Sequence, residues 1–388
     1  MQRLALAVAG LLTAGLFVYL FTFGTRTPWL FVIGIGLGIS LYHAAFGFTG
    51  AYRRAILQRD ISGVTAQIVM LAAAMLLFAP MLTDNHLELQ LFSVFNHQFT
   101  GAVAPVSVSM AFGALIFGVG MQMGGGCASG TLFTVGGGNL RMGLVLVFFC
   151  IGTFWASLDM QWWTSLPGLG PVSLAKKVGQ WQAVGLQMAA LALIYGVLRL
   201  LGGHNRGPLW WPHGFQWGLL LRGPWPLLLG AGALALLNWL TLVVAGHPWS
   251  ITWGFTLWAA KTALLLGWDP ATSPFWTGGF QQAALARPLL ADTTSVMNIG
   301  IVAGAMTAAA LAGKLKFGAH MPLFSVAAAI AGGLLLGYGA RLAYGCNIGA
   351  FFSGVASTSL HGWVWIAAAV LGNVIGVRLR PLFRLAET

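Results

Sequence analysis

Residues 113–143 read GALIFGVGMQMGGGCASGTLFTVGGGNLRMG, and residues 332–362 read GGLLLGYGARLAYGCNIGAFFSGVASTSLHG. With Cys127 set against Cys346, glycines coincide at Gly113/Gly332, Gly118/Gly337, Gly120/Gly339, Gly126/Gly345, Gly130/Gly349 and Gly143/Gly362. Chance matches come easily in a chain with 54 glycines, but six at one offset around an aligned cysteine indicate duplication. A shorter echo, Gly47-Phe48-Thr49 against Gly254-Phe255-Thr256, points the same way.

Both stretches lie between long apolar runs. Runs of about 20 apolar residues mark membrane-spanning helices, and ten are expected near 4–23, 28–46, 62–82, 107–124, 140–158, 181–201, 225–246, 295–313, 323–342 and 362–380. Composition agrees: 58% of the 388 residues are hydrophobic and 7% are charged, too few charges to cover a soluble surface, which usually carries about 25%. The run 4–23 behind Arg3 imitates a signal peptide, but no small-residue cleavage site follows it, so it reads as the first spanning helix.

Basic residues then set the orientation. Arg3, Arg53/Arg54/Arg59, Arg141, Arg199/Arg206/Arg222, Lys314/Lys316 and Arg378/Arg380/Arg384 fall on one side, predicted cytoplasmic with both termini. The other side carries Asp84, Glu88, Asp159, Asp269 and Asp292, with Lys176, Lys177 and Arg287 as exceptions. The helices flanking Cys127 start and end outside, whereas those flanking Cys346 start and end inside, so the two units are inverted. Inverted repeats are a common transporter plan, with the site at the repeat interface near the midplane. The expected division is an extra helix at 1–27, a first half at 28–160, a connector at 161–224, an inverted second half at 225–380 and a tail at 381–388. The fold class is an all-α polytopic membrane protein with re-entrant short-helix hairpins.

The net charge of +12 is accounted for by the positive-inside pattern, so nucleic acid is not an expected partner and the bilayer is. Three cysteines, Cys127, Cys150 and Cys346, form no CxxC pair and no disulfide framework, and neither a metal nor a cofactor is expected. Cys150, in the apolar run LVLVFFCIGTFW, reads as packing. Cys127 and Cys346 sit in glycine-dense breaks, Gly124–Gly130 and Gly345–Gly349. Non-helical backbone survives inside a membrane only where protein or a water-filled cavity covers it.

A short helix is expected to restart after each break, from Ser129 and from Ile348, with free N–H groups that favour an anion. By the inverted symmetry the two hairpin tips should meet near the midplane, each presenting a thiol. A thiol is a soft, weak donor without charge, which suits sulfur or selenium species better than a hard oxyanion. The seven carboxylates (Asp60, Asp84, Glu88, Asp159, Asp269, Asp292, Glu387) all fall in loops, at helix ends or in the tail. A proton-driven pump usually places one within the membrane. Ser129 and Asn347 are candidates as helix caps or as substrate contacts. Arg341 is a candidate for anion binding or for a snorkelling helix end, and Gly126 and Gly345 for the breaks. His361 and Asn139 can be read as satisfying backbone only. Trp162/Trp163, Trp210/Trp211 and Trp363/Trp365 fit interfacial belts.

The segment 337–354, GYGARLAYGCNIGAFFSG, with Ser359-Leu360-His361-Gly362-Trp363 after it, resembles the signature of the YeeE/YedE family of bacterial membrane proteins. Gly126-Cys127-Ala128-Ser129-Gly130 resembles that family's other cysteine motif. The resemblance covers roughly 28–380. It implies inner-membrane uptake of thiosulfate or a related sulfur compound, with a selenium-linked branch, through an inverted repeat whose motif cysteines line the path. A further family cysteine, followed by Phe-Thr, is replaced here by Gly47 ahead of Phe48-Thr49, which puts the substrate in question. The competing class is a membrane thiol protein that passes sulfane sulfur or electrons to a soluble, rhodanese-like or sulfur-carrier partner. A permease for an unrelated anion is a third.

Overall fold

The structure is a computed structural model that describes residues 1–83, 98–212, 214–318 and 321–385. Asp84, Glu88 and Glu387, and with Glu387 the end of the tail, lie outside the described residues. Ten stretches among those described are helical, long and apolar enough to cross a membrane. They fall where the apolar runs place them.

The first half comprises α1 (Arg3–Leu20), α2 (Thr27–His43), α3 (Phe48–Gln58), α4 (Ser62–Phe78), α5 (Val108–Gly124), α6 (Ala128–Gly136) and α7 (Leu140–Leu158). Two short pieces, α8 (Met160–Thr164) and α9 (Leu174–Val178), lead into α10 (Gln180–Leu200), and α11 (Trp217–Arg222) leads into α12 (Leu227–Ala245). The second half continues with α13 (Thr252–Leu265), α14 (Gly279–Ala286), α15 (Thr293–Leu311) and α16 (Leu323–Leu342). A π-helical turn, Asn347–Phe352, runs into α17 (Ser353–Ala356), and α18 (Leu360–Leu379) follows. A small ribbon, β1 (Pro105–Ser107) antiparallel to β2 (Gly168–Pro171), pairs Val106 with Gly170. It is a minor addition to the all-α plan.

Ser107, Asn139 and Asp292 open α5, α7 and α15 as side-chain caps, accepting from the amides of Met110, Met142 and Ser295. Such a cap satisfies one of the free amides at a helix start and contributes about 1 kcal/mol. Asn139 is therefore a cap, as its position suggests.

Three of the six repeated glycine pairs, those ahead of the breaks, turn out to be helix contacts exchanged between the halves. A Cβ on Gly113 would lie 2.8 Å from the Gly339 carbonyl oxygen, and one on Gly120 would lie 3.0 Å from that of Gly332. Since Gly113 aligns with Gly332 and Gly120 with Gly339, these are one contact seen twice across antiparallel α5 and α16. Gly118 likewise packs on Gly372 in α18, and Gly337 on Gly152 in α7. Helices in lipid gain no hydrophobic drive from meeting one another, and small residues let their backbones approach closely. The same exchange holds outside this core: α2 packs on α15 and α12 on α4, while α1 lies against α15 and α10 against α4.

Contacts also gather the charges. The Gln2 amide donates to Ala310 O, Gly138 abuts Lys316, the Arg141 Nε donates to the Ser325 hydroxyl and the Arg384 guanidinium lies over Phe324. The N-terminus, the 310–318 segment, Arg141 and the start of α16 thus share one end of the bundle. Four segments next to the spanning helices, α3, α6, α13 and the 347–356 stretch, are too short to span. With 11, 9 and 14 residues in α3, α6 and α13, they reach only about 13–21 Å at 1.5 Å per residue, against about 30 Å of hydrocarbon. Two such segments, α6 and the 347–356 stretch, were expected; α3 and α13 add a second pair.

Candidate functional site

Each cysteine break is built the same way. Gly125 ends α5 in the left-handed conformation at φ +88°, and its counterpart Tyr344 ends α16 at φ +57°. A non-glycine residue there costs on the order of 1 kcal/mol or more, so the backbone path is held by its surroundings. Gly126 and Gly345 come next, and Gly345, at φ +149°, occupies a region that side chains avoid. Cys127 and Cys346 then take extended backbone (φ −85° and −110°, ψ −170° and −167°) and cap the short helical segments that follow. The helices restart at Ala128 and Asn347, each one residue earlier than the sequence suggested.

The cap position puts each sulfur over free backbone donors. The Ile348 amide donates to Cys346 Sγ at 3.4 Å. At Cys127 the Ser129 and Gly130 amides are aimed at the sulfur at longer range, with no capping bond closed. The Ser129 hydroxyl and Cys127 Sγ lie 3.3 Å apart, so Ser129 contacts the thiol directly. Both cysteines are buried, at 1% and 0% exposure, and close enough that Cys127 acts electrostatically on Cys346. Cys150 stands apart on α7, half-buried, bordering an apolar groove with Trp258 and Leu266.

Beside both breaks stands a residue the sequence did not single out. Tyr52, in α3, receives a hydrogen bond from Asn347 Nδ2 at 3.3 Å and lies within electrostatic reach of Cys127. Its side chain links the 347–352 turn to the Cys127 break. Thr49 lies one turn earlier on the same helix. Its carbonyl accepts from Gln122 Nε2 at 3.1 Å, and its buried hydroxyl has no partner. Asn347 Oδ1 is also buried without a partner. A signal for Tyr52 was present only in its spacing, since positions three apart share a helix face.

Gly47 and Arg341 are placed differently. Gly47 caps α3 at φ −112°, an ordinary conformation, and a Cβ there would meet only Ala45 O at 3.9 Å. That space opens toward Ala51, Arg54, Gly63 and Gln67, a different face of α3 from the one carrying Thr49 and Tyr52. Arg341 lies with its guanidinium 5.2 Å from the centre of the Phe275 ring, its Nε buried without a partner. Its electrostatic neighbour is Tyr344. Neither residue meets a thiol directly. Gly126 packs beneath the Met142 side chain and against the Gly130 and Thr131 backbone.

A cleft at the end opposite the N-terminus descends to the Cys346 break. Ala104, His247, Ser250, Tyr344, Gly349 and His361 line it. His361 Nε2 donates to Ala343 O at 3.0 Å, and its Nδ1 is buried without a partner. The cleft stops above the sulfurs, which are closed from solvent on both sides. What the arrangement offers is a series of neutral, soft or uncharged donors, two thiols, a phenol and an amide, each next to helix N-termini that favour negative charge.

The sulphur-transport family pattern matches residues 43–375. The probable transporter YedE of Salmonella typhimurium is 32% identical over 178 residues, 45% of this chain and 43% of that protein, and its Escherichia coli counterpart matches equally. The chain thus aligns with less than half the length of these two relatives. A thiosulfate transporter, TsuA of Spirochaeta thermophila, is 26% identical over 355 residues, 88% of this chain and 95% of that protein. The match spans both cysteine breaks and the helices between them, and the chain belongs to the sulphur-transport (YeeE/YedE) family.

Proposed function

We propose that this chain carries thiosulfate, or a closely related small sulfur-containing anion, inward across a bacterial inner membrane, with both termini in the cytoplasm. The observation that carries the proposal is the pairing of Cys127 and Cys346. Two buried cap cysteines at the tips of matched breaks stand within electrostatic reach of each other. The similarity to a thiosulfate transporter over 88% of the chain supports the substrate. The gathering of basic residues at the N-terminal end supports the orientation. Burial of both sulfurs favours transport over a thiol relay to a soluble sulfur carrier, since a relay needs an accessible, activated thiolate.

In this reading the anion enters the cleft and meets the Ile348 and Gly349 amides beside Cys346. It then passes Asn347 and Tyr52 to Cys127 and Ser129. Each S–H donates weakly to the terminal sulfur, and no covalent bond forms. The sulfurs are closed in this state, so passage requires the tips to part. The π-turn 347–352 is a natural place for that movement, because π-helical turns pack less regularly than α-helix.

Selectivity over sulfate follows from the donors. Helix N-termini attract either dianion, so discrimination falls to groups that replace hydration poorly for an oxygen and better for a diffuse sulfur. Each unmade hydrogen bond to a charged group costs about 1.5–3 kcal/mol, so two poor contacts give on the order of 100-fold or more. Labelled thiosulfate uptake into proteoliposomes, challenged with excess unlabelled sulfate or thiosulfate, tests this. Strong competition by thiosulfate alone is expected, and equal inhibition by both would leave a general anion path.

A further inference from the structure

The wall of the outer cleft holds two nitrogens that packing leaves unanswered. His361 and Trp249 both line it, and both are buried, at 1% and 0% exposure. His361 Nε2 meets Ala343 O at 3.0 Å. A carbonyl only accepts, so Nε2 carries the proton of the neutral ring and Nδ1 is a bare lone pair. That Nδ1 is buried without a partner, and so is Trp249 Nε1. A Cβ on Gly354 would lie 3.5 Å from Nδ1 and 3.7 Å from Ala102 O. The glycine therefore leaves a gap before the imidazole, and Ala102, across that gap, belongs to the cleft wall. The Trp249 backbone is pinned: its amide donates to Asn238 Oδ1 and its carbonyl accepts from the Ser353 hydroxyl, each at 2.8 Å.

We propose that His361 binds a proton at Nδ1 together with a dianion in this cleft, and that the Trp249 indole N–H donates to the same dianion. Each anion is thus bound with one proton from the outer solution. The inference rests on the uptake reading above and adds a proton to it.

Support of the backbone accounts for Nε2 and not for Nδ1. A buried acceptor left unpaired is costly, and histidines kept within membranes commonly serve ion and proton paths. A lone pair repels an anion. The protonated ring instead presents a second N–H and a positive charge, and a dianion nearby favours that charged form. The charged and titratable groups around the imidazole come from four directions. Tyr344 packs edge-on, 6.3 Å between ring centres, with Arg341 and Cys346 on either side of it in sequence. His247 lines the same cleft, and Lys176 lies in α9, where Ala175 donates to the Thr358 hydroxyl. No carboxylate among the described residues lines the cleft, so the arriving anion itself supplies the negative charge that holds the proton. The occupied cleft carries one proton more than the empty one, so affinity rises as the outer pH falls.

Right-side-out membrane vesicles, buffered near neutrality inside and given labelled thiosulfate over a range of external pH, test this. Thiosulfate stays a dianion throughout, so any change belongs to the protein. The apparent KM of the wild type is expected to rise about tenfold from about pH 6 to about pH 8, across the imidazole range. His247→Gln should keep that dependence. His361→Gln, whose amide can still donate to Ala343 O, should hold KM near its alkaline value at every pH. Trp249→Phe should raise KM severalfold and leave the pH dependence in place. A second readout needs no variant: thiosulfate binding to the purified wild type, followed by calorimetry in two buffers of different ionisation heat, should take up close to one proton. Binding without proton uptake, or a KM that responds to pH equally in wild type and His361→Gln, would overturn the inference and leave thiosulfate uptake standing. Absence of thiosulfate uptake at any pH, with proton-linked binding intact, would overturn the transport reading instead.

Discussion

Tyr52→Phe keeps the ring and deletes one hydroxyl, the group that Asn347 Nδ2 reaches at 3.3 Å. That hydroxyl meets Asn347 and lies within electrostatic reach of Cys127, so its loss leaves the Asn347 side chain unpaired and removes a donor from the proposed path. A lost buried hydrogen bond costs about 1–3 kcal/mol, so thiosulfate uptake is expected to fall by roughly tenfold with membrane abundance nearly unchanged. Gly47→Cys makes a contrasting case. The site has room for a side chain and an unstrained backbone, so the variant should fold, yet its sulfur would open toward Ala51 and Gln67 and change uptake little. At this scale Cys127 and Cys346 were legible because two copies of one pattern aligned on them. Tyr52 was not, because its role arises only where α3 meets a segment nearly 300 residues away.

Among the elements, the corner between α3 and α4 carries a pH signature. Burial pushes the Asp60 carboxyl up, but hydrogen bonds from the Ser62 hydroxyl and amide and from the Arg206 amide, with the Arg54 guanidinium, hold it below the usual carboxylate range. Its folded-state value is depressed, so the clamp stabilises the fold above the unfolded value of about 4 and fades as pH falls through the lower folded value. Arg54 is 43% exposed, so screening leaves most of the effect to the hydrogen bonds, together about 1–2 kcal/mol. Asp60→Asn should lower the melting temperature at pH 7, and the gap to wild type should start to narrow below about pH 4 and close only as pH falls through the lower folded value.

The close helix crossings make a second element-scale forecast. Gly118 and Gly372 face each other across α5 and α18, so Gly118→Leu should drive these helices apart and abolish folded protein in the membrane, as overpacking at backbone contact does. The crossings of α5 and α16 were foreshadowed by the repeated glycines ahead of the breaks, but the register after the breaks was not. Twelve residues separate Cys127 from the α7 cap Asn139 and thirteen separate Cys346 from the α18 cap Ser359, and the π-turn 347–352 lies in the longer segment. The two halves therefore slip by one residue after the break, and Gly143 and Gly362, aligned in sequence, occupy the fourth and third positions of their helices. Likewise α3 starts directly after Gly47, whereas Gly254 is the third residue of α13. Local strings cannot show an insertion absorbed inside a helical turn.

At the level of the whole molecule, apolar length placed all ten spans, because the bilayer sets that length directly. The repeat boundaries were harder, since α1 and α10 share no visible motif. Their contacts, α1 on α15 and α10 on α4, are the same contact under exchange of the halves. We propose that the repeats run from α1 to α7 and from α10 to α18, rather than leaving 1–27 as an extra helix and 161–224 as a connector. Two interlocked halves then meet at the cysteine breaks, and the central claim is that a sulfur anion passes between them along the thiols. The most direct test is labelled thiosulfate uptake into proteoliposomes that hold equal amounts of wild type, Cys127→Ala, Cys346→Ala or Cys150→Ala. The account predicts that the first two substitutions each reduce uptake by an order of magnitude or more and that the third leaves it near wild type. Wild-type uptake by folded Cys127→Ala and Cys346→Ala would show that the thiols only pack, and would contradict the account.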